Sequence, residues 1–331
     1  MKKLIYRISL IVIVIAVAFD ANADSDSIFG YSVKRDIIYG QGAIKPEGNL
    51  VMRDLKMDVY SPTQVEKGVL LPAIVYVHGG GHHRGGRFLP PFRIQGVIHS
   101  APQDYGRLLA AYGYVTFVVE YRLAPENPEP DHKPGEANLL TNLTQYVSPI
   151  MLGGTSRART AMGLSELEGE EGRIFLWKAG IAGAEDVMKA INYIIKHAND
   201  FNIDKKKIAL GGHSAGAGIT TNVAYGFKAP VAAIFAMSGP DIAFDKVKVL
   251  GPKNPPALIV YSQYDDETML DAAPRMVKGL ADAGAKYEVV WVPGFPHSYP
   301  SGAPTLSSDG TRKALLDRIT DFLDKHVRGL E

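Results

Sequence analysis

The residues Gly212-His213-Ser214-Ala215-Gly216 are the stretch best suited to chemistry in this chain. A serine with a glycine two places away on each side fits a sharp strand-to-helix turn that pushes the serine oxygen out of a sheet. The run before it, 207–211, is apolar and of strand length. The run after it, 217–226, is small, helix-compatible and ends on Gly226. Gly212 and Gly216 have no Cβ, so strand and helix can pass close to each other. The backbone N–H of Ala215 then falls at a helix N-terminus, where it can stabilise a developing oxyanion.

A serine hydroxyl is a poor nucleophile near neutral pH and needs a base, which in turn needs an orienting carboxylate. Asp265 follows the apolar run 257–261, and His297 follows 287–292 through Pro293-Gly294-Phe295-Pro296. Both therefore fall at the carboxyl ends of predicted strands, the edge where open α/β sheets place their sites. Asp266 and Glu267 compete for the acid role, and proximity to the strand favours Asp265. Asp241, after the strand predicted over 230–237, is a further candidate. His78-Gly79-Gly80-Gly81 directly follows the apolar run 70–77 and offers side-chain-free backbone N–H groups to an acyl oxygen. His78, His82 and His83 also admit a metal reading, which the intervening glycines disfavour because they do not hold His78 and His82 on one helix face.

These residues need a scaffold, and the chain alternates between strand and helix signals. Residues 55–60 alternate as a half-buried strand, whereas 70–77 and 114–121 are nearly continuous apolar runs. Helices are predicted over 104–112, stopped by Gly113, over 182–200, over 271–283, closed by Gly284, and over 315–327. The alternation predicts an α/β fold with a mainly parallel central sheet and helices on both faces. Residues 24–50 read as a polar approach, and 287–292 as the last strand. Residues 124–178 contain Pro125, Pro128, Pro130 and Pro134 and have weak periodicity; they read as a lid-like insertion over the site. Arg122 is expected to brace loops beside the site, and Arg84 and Arg87 to be solvated.

The chain has 331 residues, 46% hydrophobic and 21% charged, which suits one domain over 24–331. A net charge of +1 provides no basic field for nucleic acid. The absence of cysteine excludes a disulfide framework, a cysteine nucleophile and a thiolate metal site. Lys2, Lys3 and Arg7 precede an apolar run over 8–19, and Ala21-Asn22-Ala23 forms a small-residue cleavage site. Residues 1–23 are thus expected to be a signal peptide, with export to the periplasm or beyond and no stable membrane insertion after cleavage. Cleavage removes three basic residues and one acidic residue, taking the net charge from +1 to −1.

His78-Gly79-Gly80-Gly81, Tyr121-Arg122-Leu123-Ala124-Pro125, Asn202-Ile203-Asp204-Lys205-Lys206-Lys207-Ile208 and Gly212-His213-Ser214-Ala215-Gly216 stand in the order seen in α/β-hydrolase esterases. The chain resembles the hormone-sensitive-lipase-like and feruloyl-esterase-like branches over roughly 50–328, apart from the insertion. The resemblance implies the α/β-hydrolase fold, with Ser214 as nucleophile, His297 as general base and Asp265 as orienting acid. It places the N–H groups of Gly80, Gly81 and Ala215 in the oxyanion hole and implies ester hydrolysis through an acyl-enzyme without a cofactor. The chain departs from the first branch at His213, where that branch carries Asp, and at His82, where it carries an aromatic residue. Expected substrates are small-molecule or glycan esters: short acyl esters, acetylated or feruloylated glycans, or polyesters. Three other readings remain: an amidase or peptidase with the same triad, a non-catalytic binding protein on this scaffold, and an interfacial lipase. The last is disfavoured because 124–178 holds no long apolar amphipathic stretch.

Overall fold

The computed structural model describes residues 29–90, 92–94 and 96–330. The expected signal peptide over 1–23 lies outside the described residues. Two long strands open the fold, β1 (Tyr31–Ile44) and β2 (Val51–Pro62), followed by β3 (Leu71–Val77). A small hairpin, β4 (Phe92–Ile94) and β5 (Val97–His99), leads to α1 (Pro102–Ala111) and β6 (Val115–Val119). The helices α2 (Pro149–Thr160) and α3 (Gly169–Lys196) precede β7 (Ile203–His213) and α4 (Ala215–Thr221). Next come β8 (Ala233–Met237), the single turn α5 (Lys246–Val249), β9 (Ala257–Tyr264) and α6 (Glu267–Asp282). The chain closes with β10 (Tyr287–Pro296), β11 (Pro304–Ser307), β12 (Arg312–Ala314) and α7 (Leu315–Leu323).

Ten strands form one sheet in the order β1-β2-β6-β3-β7-β8-β9-β10-β11-β12. The run from β6 to β10 is parallel, and both flanks are antiparallel. The period of β3 explains the two-sided packing. Ala73, Val75 and Val77 join a core beneath α3, α4 and α6, while Ile74 and Tyr76 join a second core beneath α1 and α7. A strand buried on both faces needs no polar alternation, which is why 70–77 reads as one apolar run.

Four expectations are corrected by the structure. The polar approach is β1, a 14-residue edge strand. Its first half is exposed, so it carries no apolar run, and register shifts between Lys34/Ile37 and Ile38/Gly40 blur its alternation. The helix expected from residue 182 begins at Gly169, and its added turns bury Leu176, Trp177 and Ile181 in the core that also takes in Leu143, Tyr146 and Met151 of the insertion. Within 124–178, Ser148 caps α2 by accepting the Met151 N–H at 3.2 Å, and Pro149 takes the first helical position. The strand expected to be last is followed by β11 and β12. Arg87, expected to be solvated, is only 14% exposed and pairs with Asp36, Asp58 and Glu120.

Candidate active site

The centre of the site is the turn between β7 and α4. Ser214 has φ 58° and ψ −124°, a conformation that L-residues seldom adopt. Such a residue costs about 1–3 kcal/mol and persists only when its surroundings hold it. Here they do: the Ser214 amide donates to Met237 O at 2.8 Å, and Ser214 O accepts from the amides of Ala217 and Gly218. Gly216 must be glycine because a Cβ there would meet Val77 O at 2.2 Å. The helix can start at the serine only because it passes that closely under the end of β3.

The structure brings Ser214, His297 and Asp265 into one hydrogen-bonded chain. His297 Nε2 lies 2.8 Å from Ser214 Oγ, and His297 Nδ1 lies 2.5 Å from Asp265 Oδ1. Asp265 sits between the end of β9 and the start of α6, and His297 directly follows β10, which pairs in parallel with β9. The amide of Gly294 donates to Gln263 Oε1 at 2.8 Å and ties the ends of the two strands together. The other candidate carboxylates do not join this chain. Asp241 accepts from Lys246 Nζ at 2.7 Å and Arg275 Nε at 3.2 Å. Asp266 caps α6 through the Met269 N–H, with its second oxygen 3.7 Å from His297 Nδ1. Glu267 starts α6 and lines the cavity without joining the hydrogen-bonded chain.

The electrostatics suit proton transfer. Burial pulls the His297 imidazole down, but the hydrogen bond and charge of Asp265, with the charge of Asp266, hold it above its ordinary value of 6.5. Burial pushes Asp265 up, but the bond and charge of His297, the Ser238 hydroxyl at 2.5 Å and the Ser262 amide hold it below 3.8. Ser238 also meets Tyr299 Oη at 3.0 Å, so the carboxylate is fixed by groups that sequence reasoning did not single out. Their one sequence signal is position: Ser238 directly follows β8, at the same sheet edge. His213 is buried and held well below 6.5, chiefly by desolvation, so its Nε2 serves as a neutral donor to His297 O at 2.9 Å. At the position where the resembled branch carries Asp, this chain thus uses an imidazole to hold the histidine backbone.

One pH prediction follows from these neighbours. A base must be unprotonated to work, so with His297 in the role expected of it kcat/KM is expected to rise with pH as the imidazole loses its proton. Asp266→Asn removes a nearby negative charge that favours the imidazolium and keeps an oxygen for the cap. The acid limb of the profile is expected to move to lower pH, with a roughly twofold gain well below its midpoint. A limb that stays in place, or moves to higher pH, would contradict the electrostatic assignment.

The His78-Gly79-Gly80-Gly81 loop folds over Ser214. Gly80 has φ 119°, and a Cβ there would meet Arg84 O at 2.0 Å. Among the described residues, the amides of Gly80, Gly81 and Ala215 donate to no other group. All three residues line, with Ser214 and His297, a cavity of about 800 Å³. Met151, Thr155 and Met162 from the 124–178 insertion form part of its wall. This arrangement can present an activated oxygen, a proton acceptor and unpaired backbone donors to one carbonyl group. Among the described residues, Asp265, Asp266 and His297 are the one cluster close enough to hold a metal ion, and His78, His82 and His83 form none. Two atoms of that cluster, His297 Nδ1 and Asp265 Oδ1, are already bonded to each other.

The sheet order with helices on both faces is the α/β-hydrolase fold. A family model described as BD-FAE matches residues 178–230, from within α3 through β7 and the Ser214 turn to the approach to β8. A truncated carbohydrate esterase from gut microbiota superposes with a TM-score of 0.53 at 13% identity, covering 92% of this chain and 99% of that one. The thermophilic esterase Est2 from the planctomycete Thermogutta terrifontis gives 0.54 at 16% identity, covering 89% and 92%. A second structure of that esterase, phosphorylated by paraoxon, gives 0.52 at 15%, covering 90% and 93%. No curated protein matches the chain.

Proposed function

We propose that this protein is an exported serine carboxylic ester hydrolase acting on short-acyl or glycan-linked esters. The observation that carries the reading is the unbroken chain Ser214 Oγ, His297, Asp265, facing unpaired backbone amides across one cavity. Ser214 Oγ attacks the ester carbonyl carbon as His297 Nε2 takes its proton. The negative charge that develops on the carbonyl oxygen is met by the N–H groups of Gly80, Gly81 and Ala215. Asp265 stabilises the imidazolium and holds its orientation. Collapse of the tetrahedral intermediate breaks the C–O bond to the alcohol, which leaves with the proton from His297. Water, deprotonated by the same imidazole, then attacks the acyl-enzyme and releases the acid.

The substrate range draws on the neighbours. The Thermogutta terrifontis esterase has been seen with propionate and with butyrate bound, and another neighbour is a carbohydrate esterase. Export rests on the basic, apolar and small-residue succession over residues 1–23.

The test is a panel of p-nitrophenyl esters from acetate to palmitate, beside a matched anilide, with fluorophosphonate labelling of Ser214. Hydrolysis of the short esters with labelling supports the reading. Activity confined to long chains points to a lipase, and comparable cleavage of the anilide to an amidase. No turnover and no labelling would leave a binding role for the scaffold.

A further inference from the structure

The cavity wall contains an adjacent pair of imidazoles, on His82 and His83, that the reaction above does not use. His82 is 2% exposed, lines the cavity, and has no hydrogen-bond partner at either ring nitrogen. It also has φ 61°, so the backbone is held in a strained form that keeps this side chain where it is. His83 is buried beside it and lines the same cavity. Its Nδ1 lies 2.8 Å from Gly81 O, so Nδ1 carries the proton and Nε2 is a bare acceptor, also without a partner. Buried polar groups are nearly always paired, and an unpaired one asks for an explanation.

Resting on the esterase reading above, we propose that His82 and His83 form a hydroxyl-recognising subsite that selects esters of sugars or other polyols. Desolvation pushes His82 down to about 3 and lowers His83 as well, so both are neutral imidazoles. A neutral imidazole offers one donor and one acceptor. With the acceptor on His83, the pair presents one donor and two acceptors, the complement of two hydroxyl groups rather than of a carboxylate or an alkyl chain. The Tyr121 ring packs edge-on against His82, its centroid 6.2 Å away. Neither His82 nitrogen has a partner in the protein, and the residue lines the cavity, so a turn of the ring brings them to whatever occupies it. His83 also links recognition to chemistry, since the carbonyl it holds belongs to Gly81 of the oxyanion loop.

The experiment compares kcat/KM within two matched pairs, glycerol monoacetate against propyl acetate and ethyl lactate against ethyl propionate. General damage to the oxyanion loop cancels within each ratio. The wild-type chain is expected to favour glycerol monoacetate over propyl acetate by about tenfold or more, because a site built to bond hydroxyls rejects the analogue lacking them. His82→Phe is expected to bring that ratio close to one. His82→Asn, which keeps a donor and an acceptor and tolerates positive φ, should restore part of it, and His83→Phe should lower it independently. A preference confined to the lactate pair would move the hydroxyl to the acyl side and overturn the polyol assignment. A wild-type ratio near one in an enzyme that is active and labelled at Ser214, or a ratio unchanged in both His82 variants, would overturn the subsite while leaving the esterase reading intact. Failure of all four esters together with failure of Ser214 labelling would overturn the esterase reading and the subsite with it.

Discussion

Ser214→Ala is expected to lower kcat/KM for short esters by about 10⁴-fold or more, leaving only the residual rate that binding and an oxyanion hole supply. The effect is large because Ser214 Oγ is the one atom of this site placed to form the acyl bond, with His297 Nε2 as its hydrogen-bond partner. The fold should survive the change. The strained backbone at 214 is held by bonds from its amide and carbonyl, not by the side chain, and alanine keeps both. The loss should therefore fall on kcat, with the thermal midpoint little altered and labelling by fluorophosphonate abolished. A variant within tenfold of wild type, hydrolysing the same esters, would place the nucleophile on another residue.

Arg122→Met is expected to destabilise the protein by about 3–5 kcal/mol, the cost of leaving a buried charge without its partner. Arg122 is fully buried and serves as a hub. Its Nε lies 3.0 and 2.9 Å from the two carboxylate oxygens of Asp186, its Nη1 donates to Ala43 O and Glu129 O, and its Nη2 donates to Ala182 O. One guanidinium thus joins the end of β1, the loop after β6 and the middle of α3. Methionine fills much of the volume but replaces none of the guanidinium's bonds, leaving Asp186 only the backbone amide at 122 and the more distant Lys189. In urea unfolding near pH 7 the variant should show a much lower midpoint, with little dependence on salt because the pair is shielded from it. Lowering the pH should narrow the gap. The abandoned Asp186 would have a folded-state pKa above its unfolded value, so protonation favours the folded variant as pH falls. Removing the carboxylate as well, in Arg122→Met/Asp186→Leu, should recover part of the loss. A single variant within 1 kcal/mol of wild type would show that the hub contributes little.

Much of this site was legible in the chain because its chemistry is local. A serine in a strained strand-to-helix turn needs small flanking residues, and Gly212 and Gly216 stand where the backbone must pass under β3. Apolar runs marked the strand ends that carry Asp265 and His297: β9 is buried on both faces and shows no polar alternation, while β10 buries Val290 and Val292 and exposes Trp291. Composition alone excluded cysteine chemistry. Other features depended on distant partners. Asp241, Asp265 and Asp266 are the same kind of group along the chain, and only the packing hands Asp241 to Lys246 and Arg275 and turns Asp265 toward His297. The edge strand β1 is held by antiparallel pairing with β2 rather than by its own hydropathy, so it read as a polar approach. Arg87 read as solvated because its three carboxylates come from positions 36, 58 and 120. Residue type and periodicity determined the fold class and marked Ser214 and His297, with a short set of carboxylates, as the candidates for the site. Charge pairing and burial, which join residues far apart in the chain, were decided only by the tertiary structure, because electrostatic and desolvation energies depend on distance in space and not on separation along the sequence.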